Sequence, residues 1–130
     1  DAQQCAVIRR MTQDLEFGIE IVILPTVREA DGLAMSSRNR YLSAEERTRA
    51  SCLSRSLFGA EQMFRDGVRD AKPIVEFVRA GMADVQIDYV ELVDADTMQP
   101  IERIERPAVL AVAAFVGPAR LIDNVVLNPK

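Results

Sequence analysis

Hydrophobic and polar positions change their spacing at a few places along the chain, and these changes divide it into elements. After residue 43 the apolar residues recur at alternating steps of three and four, which is the spacing of one face of an α-helix. These residues are Ala50, Leu53, Leu57, Ala60 and Phe64. Ser43 to Glu46 has the S-x-x-E pattern of a capping box, and Asp66-Gly67 is a stop signal. The spacing therefore predicts a long helix between Ser43 and Asp66.

A second, shorter helix is predicted to begin near Asp70. Pro73 would lie in its first turn, where a missing backbone N–H does no harm. The apolar residues of this helix are expected to face in one direction, and they are Ile74, Phe77, Val78 and Met82.

Three strands are predicted beyond the second helix, where the period changes to two. The first contains Ile87, Tyr89 and Val93, which alternate with polar residues as on a half-exposed sheet. The other two cover residues 108–116, which are apolar throughout, and residues 119–127, which follow a Gly-Pro turn. Two helices followed by a three-stranded antiparallel sheet make an α+β fold.

The first 25 residues predict one more helix and one more strand. Apolar positions within residues 2–15 have helical spacing, and Gly18 is a candidate C-cap. Ile19 to Leu24 is short, β-branched and apolar on both faces, as in a covered parallel sheet, and Pro25 ends it. A helix followed by such a strand is half of a βαβ unit, and the chain does not begin with Met. We therefore expect a fragment of a longer protein.

Composition narrows the classes of function. A net charge of −4 and a pI of about 4.9 argue against a nucleic-acid partner. No apolar run reaches membrane-spanning length and no signal peptide is recognised, so no membrane partner is expected. Cys5 and Cys52 lack CxxC spacing, which favours small core residues in a reduced, cytoplasmic protein. The chain has no histidine, which removes the commonest general base and metal ligand.

The polar loop before the first of these helices, with the sequence DGLAMSSRNR, has two interpretations. Ser36 and Ser37 add hydroxyl donors, Arg38 offers a planar fork suited to phosphate oxygens, and Gly32 permits an unusual backbone turn. These features fit a clamp for a polyphosphate without a Walker lysine. The residues alone favour the simpler interpretation, a solvated turn that leads into a capped helix.

Three motifs carry a resemblance to a known family. They are DAQQ from Asp1 to Gln4, PTVREADGLAMSSRNRYLSAEER from Pro25 to Arg47, and ARLIDN from Ala119 to Asn124. In this order and spacing they resemble the pantothenate synthetase family, in which DGLAMSSRN takes the place of the KMSKS loop of nucleotidyltransferases. The resemblance covers the whole chain and corresponds to the C-terminal half of the family's sequence.

The resemblance implies an activity and an architecture. Members of the family are ATP-dependent amide ligases, in which ATP and pantoate give pantoyl adenylate and pyrophosphate. The amine of β-alanine then attacks the acyl carbon, releasing pantothenate and AMP; Mg²⁺ accompanies ATP, with its ligands outside this chain. Residues 1–25 would be the last helix and strand of a truncated Rossmann-like nucleotidyltransferase domain, and residues 26–130 a C-terminal lid domain.

The resemblance also implies roles for individual residues. Ser36, Ser37 and Arg38 would bind the ATP phosphates and neutralise charge in the transition state of adenylation. Four further contacts follow from the motifs: the ATP ribose with Asp1, pantoate with Gln4, and adenine with Val27 and Met35. No residue of the chain is assigned to a metal.

Other polar residues are given structural roles. Arg120 and Asp123 of ARLIDN are expected to form a structural pair or a turn. Asp94 and Asp96 are expected to lie in a turn and not to act as an acid and a base. Arg40 receives no specific role.

Two other classes of function stay open from the residues. They are a non-catalytic module that binds a phosphorylated ligand and a domain that serves assembly or dimerisation. A generic module has no reason to carry the three motifs in this order. If its sheet were missing, Ile19 to Leu24 could stay disordered, pack on the two helices or pair between copies. The last option predicts a homodimer, which is the expected state because an exposed apolar surface would otherwise favour aggregation. The fragment alone is expected to be inactive, because the histidine-bearing motif of the family lies outside it.

Overall fold

The computed structural model describes residues 28–30, 32–34 and 36–129. A short 3₁₀ helix precedes two α-helices and three strands, which are 3₁₀ Ser37–Tyr41, α1 Ala44–Arg65, α2 Ala71–Gly81, β1 Gln86–Asp94, β2 Ala108–Val116 and β3 Ala119–Leu127. The strands form one antiparallel sheet in the order β1-β2-β3. The predicted two helices and three-stranded antiparallel sheet are thereby confirmed. The helix and strand predicted in residues 1–25 lie outside the described residues.

The predicted capping box fixes the start of α1. The backbone N–H of Glu46 donates to Ser43 Oγ over 3.1 Å, and the backbone N–H of Ser43 donates to Glu46 Oε1 over 2.9 Å. Two of the N–H groups that a helix start leaves without intrahelical partners are satisfied in this way. At the other end Gly67 adopts a φ of +110°, which ends α1 close to the predicted stop signal.

The core lies between the two helices and one face of the sheet. All five apolar residues predicted for one face of α1 are buried. From the sheet, Leu110 and Val112 of β2 and Val125 of β3 belong to the same hydrophobic cluster. Burying a side chain of this size contributes about 1.5–3 kcal/mol each, so this contact holds the helices on the sheet.

Phe77 is less buried than the apolar residues beside it on α2. Phe77 is 42% exposed, whereas Ile74 and Val78 are fully buried. Its ring instead covers Gly59 of α1, where an added Cβ would come within 2.6 Å of Phe77 Cε1. The absence of a side chain at Gly59 lets the ring lie across the seam between the helices.

The alternation predicted for β1 is interrupted by a bulge. Ile87 pairs with Ala114 and Tyr89 pairs with Ala113, so the register shifts at Asp88 between them. Ile87 consequently packs towards the core, while Tyr89 lies on the opposite face of the sheet. Val90 and Leu92, beyond the bulge, belong to the buried core.

Candidate functional site

A tight hairpin leads into the loop that holds Ser36, Ser37 and Arg38, which is called the motif loop below. Arg28 and Ala34 pair as an antiparallel bridge, and the backbone N–H of Glu29 donates to Leu33 O over 2.9 Å. Gly32 turns the chain at a φ of +87°, a conformation that side chains with a Cβ disfavour. The hairpin therefore delivers Ala34, the residue at the base of the loop, in a defined position.

A buried ion pair attaches this hairpin to the sheet. Arg28 Nη1 and Nη2 donate to Asp123 Oδ2 and Oδ1 over 2.6 and 2.9 Å, and Arg28 Nη1 also donates to Gly32 O over 3.1 Å. The side chain of Asp123 is 2% exposed and that of Arg28 is 18% exposed. The guanidinium also lies 4.8 Å from the ring centroid of Phe58 on α1. This bidentate geometry is the strong form of an arginine–carboxylate contact.

Arg120 and Asp123 do not pair with each other, so that part of the prediction is wrong. Residues three apart on a strand point to opposite faces of the sheet. Arg120 instead donates to Asp88 Oδ2 on the outer face, with distances of 3.0 Å from Nε and 2.8 Å from Nη2. Asp123 points to the helix side, towards Arg28. The structural role expected for Asp123 is thus filled by a partner 95 residues away.

A polar network that was not predicted from the sequence holds the far side of the loop. Asn39 is buried, and its Nδ2 donates to Ala34 O over 2.9 Å and to Glu29 Oε2. Glu29 Oε2 also lies 3.3 Å from Nη2 of Arg47 in the first turns of α1. Asn39 is the last residue of DGLAMSSRN, so the motif contained this signal, but the serines and the arginine beside it offered the more obvious chemistry.

The residues predicted to bind phosphate lie between the hairpin that Arg28 attaches and the buried Asn39. Ser36 is exposed, and its carbonyl oxygen accepts a hydrogen bond of 3.1 Å from the backbone N–H of Asn39. The backbone of Ser37 and Arg38 forms the first part of the 3₁₀ helix. Arg40 is exposed and lies 5.3 Å from the ring centroid of Tyr41. The other predicted site residues lie outside the described residues, and they are Asp1, Gln4, Val27 and Met35.

A cleft of about 160 Å³ opens between the loop and the start of β3. Ser36 and Asn39 line it from the loop, and Arg120 and Asp123 line it from the ARLIDN strand. Two motifs that are more than 80 residues apart in sequence therefore share one cavity. A cleft lined by polar residues of two motifs is a candidate site for a small polar ligand.

Asp94 and Cys52, both away from the cleft, have shifted pKa values. Backbone N–H groups of Thr97 and Asp96 donate to Asp94 Oδ1 over 3.0 and 2.8 Å, and these bonds, with Arg106 nearby, hold the pKa of Asp94 below its ordinary value. This is the predicted turn, and the Asp94 carboxylate holds it together. Burial raises the pKa of the Cys52 thiol, which belongs to the core.

Metal and membrane features are absent from the described part of the chain. Among residues 28–30, 32–34 and 36–129, no three acidic, cysteine or histidine side chains gather in a way that could hold a metal ion. No helix within those residues is long and apolar enough to cross a bilayer.

Comparison with known proteins gives consistent matches. The sequence model of the family described as Pantoate-beta-alanine ligase matches residues 1–126. Pantothenate synthetase 1 of Bradyrhizobium diazoefficiens is 56% identical over 130 residues, covering 98% of this chain and 46% of that protein. Pantothenate synthetase of Thermotoga petrophila is 52% identical over 131 residues, covering 98% of this chain and 47% of that protein.

A solved structure agrees with these matches. The crystal structure of pantothenate synthetase from Thermus thermophilus superposes with a TM-score of 0.88 at 38% identity. The superposition covers 98% of this chain and 47% of that one. The chain thus spans less than half the length of the relatives that it matches.

Proposed function

The chain belongs to the pantoate–β-alanine ligase family, and on that premise we propose that it supplies the phosphate-loop side of an ATP-dependent pantothenate synthetase. The observation that carries the proposal is the shared cleft, which is lined by Ser36 of the motif loop and by residues of ARLIDN. An ion pair and a buried amide hold the two ends of the loop in place. A loop that binds a ligand needs such support, whereas a solvated turn does not.

The proposed reaction has two steps. ATP and pantoate form pantoyl adenylate and release pyrophosphate, and β-alanine then displaces AMP through its amine to give pantothenate. Ser36, Ser37 and Arg38 bind the phosphates and stabilise the charge that moves to the pyrophosphate leaving group. The chemistry asks the protein for positioning and charge stabilisation and for little covalent work.

The remaining assignments are part of the same proposal. We assign the ATP ribose to Asp1, pantoate to Gln4, and adenine to Val27 and Met35. Residues 1–25 would complete a Rossmann-like nucleotidyltransferase domain and residues 26–130 would form the lid over it, in a cytoplasmic homodimer. One carboxylate, Asp123, lies in the lining of the cleft, and Arg28 binds both of its oxygens. Mg²⁺ is held by several oxygen ligands, and no group of three acidic side chains gathers among the described residues, so no metal ligand is assigned there.

The proposed function can be tested by adding to this chain the part of a relative's sequence that it does not match. A chimera would join this chain to that part of the Bradyrhizobium pantothenate synthetase 1. We expect the chimera to form pantothenate from pantoate, β-alanine and Mg·ATP. Arg38→Ala should lower the rate of adenylation by about a hundredfold or more, because it removes charge stabilisation from the transition state. Absence of turnover by the unsubstituted chimera would refute the proposed function.

A matched control lies two residues further along. Arg40 has the same side chain, lies in the same 3₁₀ helix and is exposed beside Tyr41. Arg40→Ala should leave the rate of adenylation within about twofold of the parent. Equal losses in the two variants would mean that the loop contributes only general positive charge.

The 130-residue chain by itself is expected to make no pantothenate. Calorimetry with Mg·ATP separates the remaining class of function, a non-catalytic module for phosphorylated ligands. ATP binding by the isolated chain that Arg38→Ala abolishes, together with an inactive chimera, would favour that module. Turnover by the isolated chain would contradict the expectation directly.

A further inference from the structure

Residues 36–38 form a short segment of the motif loop, and two hydrogen bonds from Asn39 close it. Nδ2 of Asn39 donates to the carbonyl oxygen of Ala34 over 2.9 Å, which closes the segment from outside. The backbone N–H of the same residue donates to Ser36 O over 3.1 Å, which closes it from inside. Both bonds come from one residue, so the spacing across the segment depends on where Asn39 lies.

The orientation of the Asn39 amide follows from its partners. Nδ2 faces a carbonyl oxygen of Ala34 and a carboxylate oxygen of Glu29, and both groups are acceptors only. A flipped amide would place Oδ1 against two acceptors, so the assignment is settled by the network. Oδ1 is buried and has no hydrogen-bond partner among the described residues. The two donated bonds are therefore the polar contacts through which this side chain acts.

Glu29 connects this closure to the first helix. Its Oε2 accepts from Asn39 and forms the ion pair with Arg47 of α1, while its backbone belongs to the hairpin that Arg28 attaches to Asp123. The base of the loop is thus held by the sheet on one side and by α1 on the other. Such a closed base limits the conformations that the loop must lose when a ligand binds.

We propose that Asn39 is a positioning residue that sets the spacing of Ser36, Ser37 and Arg38 for the triphosphate of ATP, acting through Ala34 and Glu29. This inference rests on the proposed function. It has a specific kinetic consequence, because pyrophosphate leaves before the amine of β-alanine attacks. Asn39 should therefore matter for adenylation and not for the capture of pantoyl adenylate by β-alanine.

The two half-reactions measured separately in the chimera test this proposal. Pyrophosphate release without β-alanine reports adenylation, and pantothenate formation from supplied pantoyl adenylate reports the second step. Asn39→Ala should slow the first by about tenfold to a hundredfold, since a displaced contact group costs about that much. The second step should stay within about twofold, and the KM for β-alanine should not change.

A core variant far from the loop controls for lost stability. Val78 of α2 is fully buried, and Val78→Ala leaves a small cavity there. A variant that acts only by lowering the folded fraction slows both half-reactions in the same proportion. Equal slowing of both steps by Asn39→Ala, or no slowing of either, would overturn the positioning role.

A pair of substitutions at Asn39 and Glu29 provides a rescue experiment. Asn39→Asp removes both donors and places a carboxylate beside Glu29 and the Ala34 carbonyl, so adenylation should fall at least as far as in Asn39→Ala. Glu29→Gln added to it supplies an amide donor for that carboxylate, and part of the adenylation rate should return. A double variant no faster than Asn39→Asp would contradict the role of the Glu29 contact. An unsubstituted chimera that forms no adenylate refutes the proposed function itself, a result separate from all of these.

Discussion

Asp123 shows how strongly one buried carboxylate can determine the position of a loop. Its side chain is almost fully enclosed and binds both terminal nitrogens of Arg28, and Arg28 in turn binds the turn carbonyl of Gly32. Neither partner could be identified from local sequence, because 95 residues separate them. Strand alternation does identify the inward face of β3, and it would have placed Asp123 there as a polar residue in need of a partner.

Asp123→Ala is expected to lower the free energy of unfolding by about 3 kcal/mol, because it leaves the largely buried Arg28 guanidinium without its counter-charge. Asp88→Ala is the matched control, since it removes the exposed partner of Arg120, where the two side chains are 39% and 43% exposed. That variant should cost about 0–1 kcal/mol. Urea denaturation of both measures the difference, and similar costs would show that the Arg28 pair behaves like a surface pair.

Asp94 allows a prediction with a direction in pH. Its pKa is lowered in the folded chain by the N–H groups of Thr97 and Asp96 and by Arg106. The stability that it contributes is therefore complete above its ordinary value of 3.8 and is lost as the pH falls through the lower folded value. Asp94→Asn keeps an acceptor for the turn and should remove this acid dependence. Asp94→Ala should cost about 1–2 kcal/mol even at neutral pH, because two N–H groups lose their acceptor. Denaturation curves at neutral pH and near pH 3 distinguish the two variants.

Helices and strands were predictable here wherever the determinants are local. The capping box, the stop at Gly67 and the steps of three and four define α1 without any distant contact. The bulge at Asp88 and the position of Phe77 were not predictable in this way. The first depends on the pairing register with β2, and the second on a glycine in another helix. Periodicity gives the type of an element, and packing decides the exceptions.

The capping box of α1 also touches the turn between β2 and β3, which gives a test at this level. An added Cβ at Gly117 would overlap the Glu46 carboxylate, and Gly117 has a φ of +55°. Gly67 has a φ of +110° and open space around it, so it is the control. Gly67→Ala should cost about 1–2 kcal/mol from the backbone alone. Gly117→Ala should cost about 1 kcal/mol more, because the displaced Glu46 loses its bond to Ser43. Equal losses on thermal denaturation would show that Glu46 moves aside without leaving the cap.

The labelling rate of the Cys52 thiol measures how often the described part of the chain unfolds as a whole. It is fully buried in α1, and burial raises the pKa of its thiol, so the reactive thiolate is suppressed in the folded chain. In a Cys5→Ser background, a thiol reagent should label Cys52 only at the rate of global unfolding. The labelling rate should rise with urea in step with the loss of helix signal. Rapid labelling in the absence of urea would mean that α1 opens locally.

The candidate site was predictable to the extent that it lies in contiguous motifs. Ser36, Ser37 and Arg38 stand out because their side chains suit an anion. Asn39 and Glu29 did not stand out, because their function is to bind other parts of the protein. Their roles appear only when the hairpin, the 3₁₀ helix and α1 are seen together.

The pair between Arg28 and Asp123 has a consequence for synthesis of the chain. Arg28 leaves the ribosome long before Asp123, which lies on β3. The motif loop therefore has no attachment to the sheet while the helices and the first two strands are being made, and it acquires one only after β3 has followed them. A nascent chain stopped before β3 would retain every residue of DGLAMSSRN and still lack the carboxylate that holds its hairpin. The hairpin can therefore be attached to the sheet only after β3 has left the ribosome, and translation of the motif alone is not sufficient.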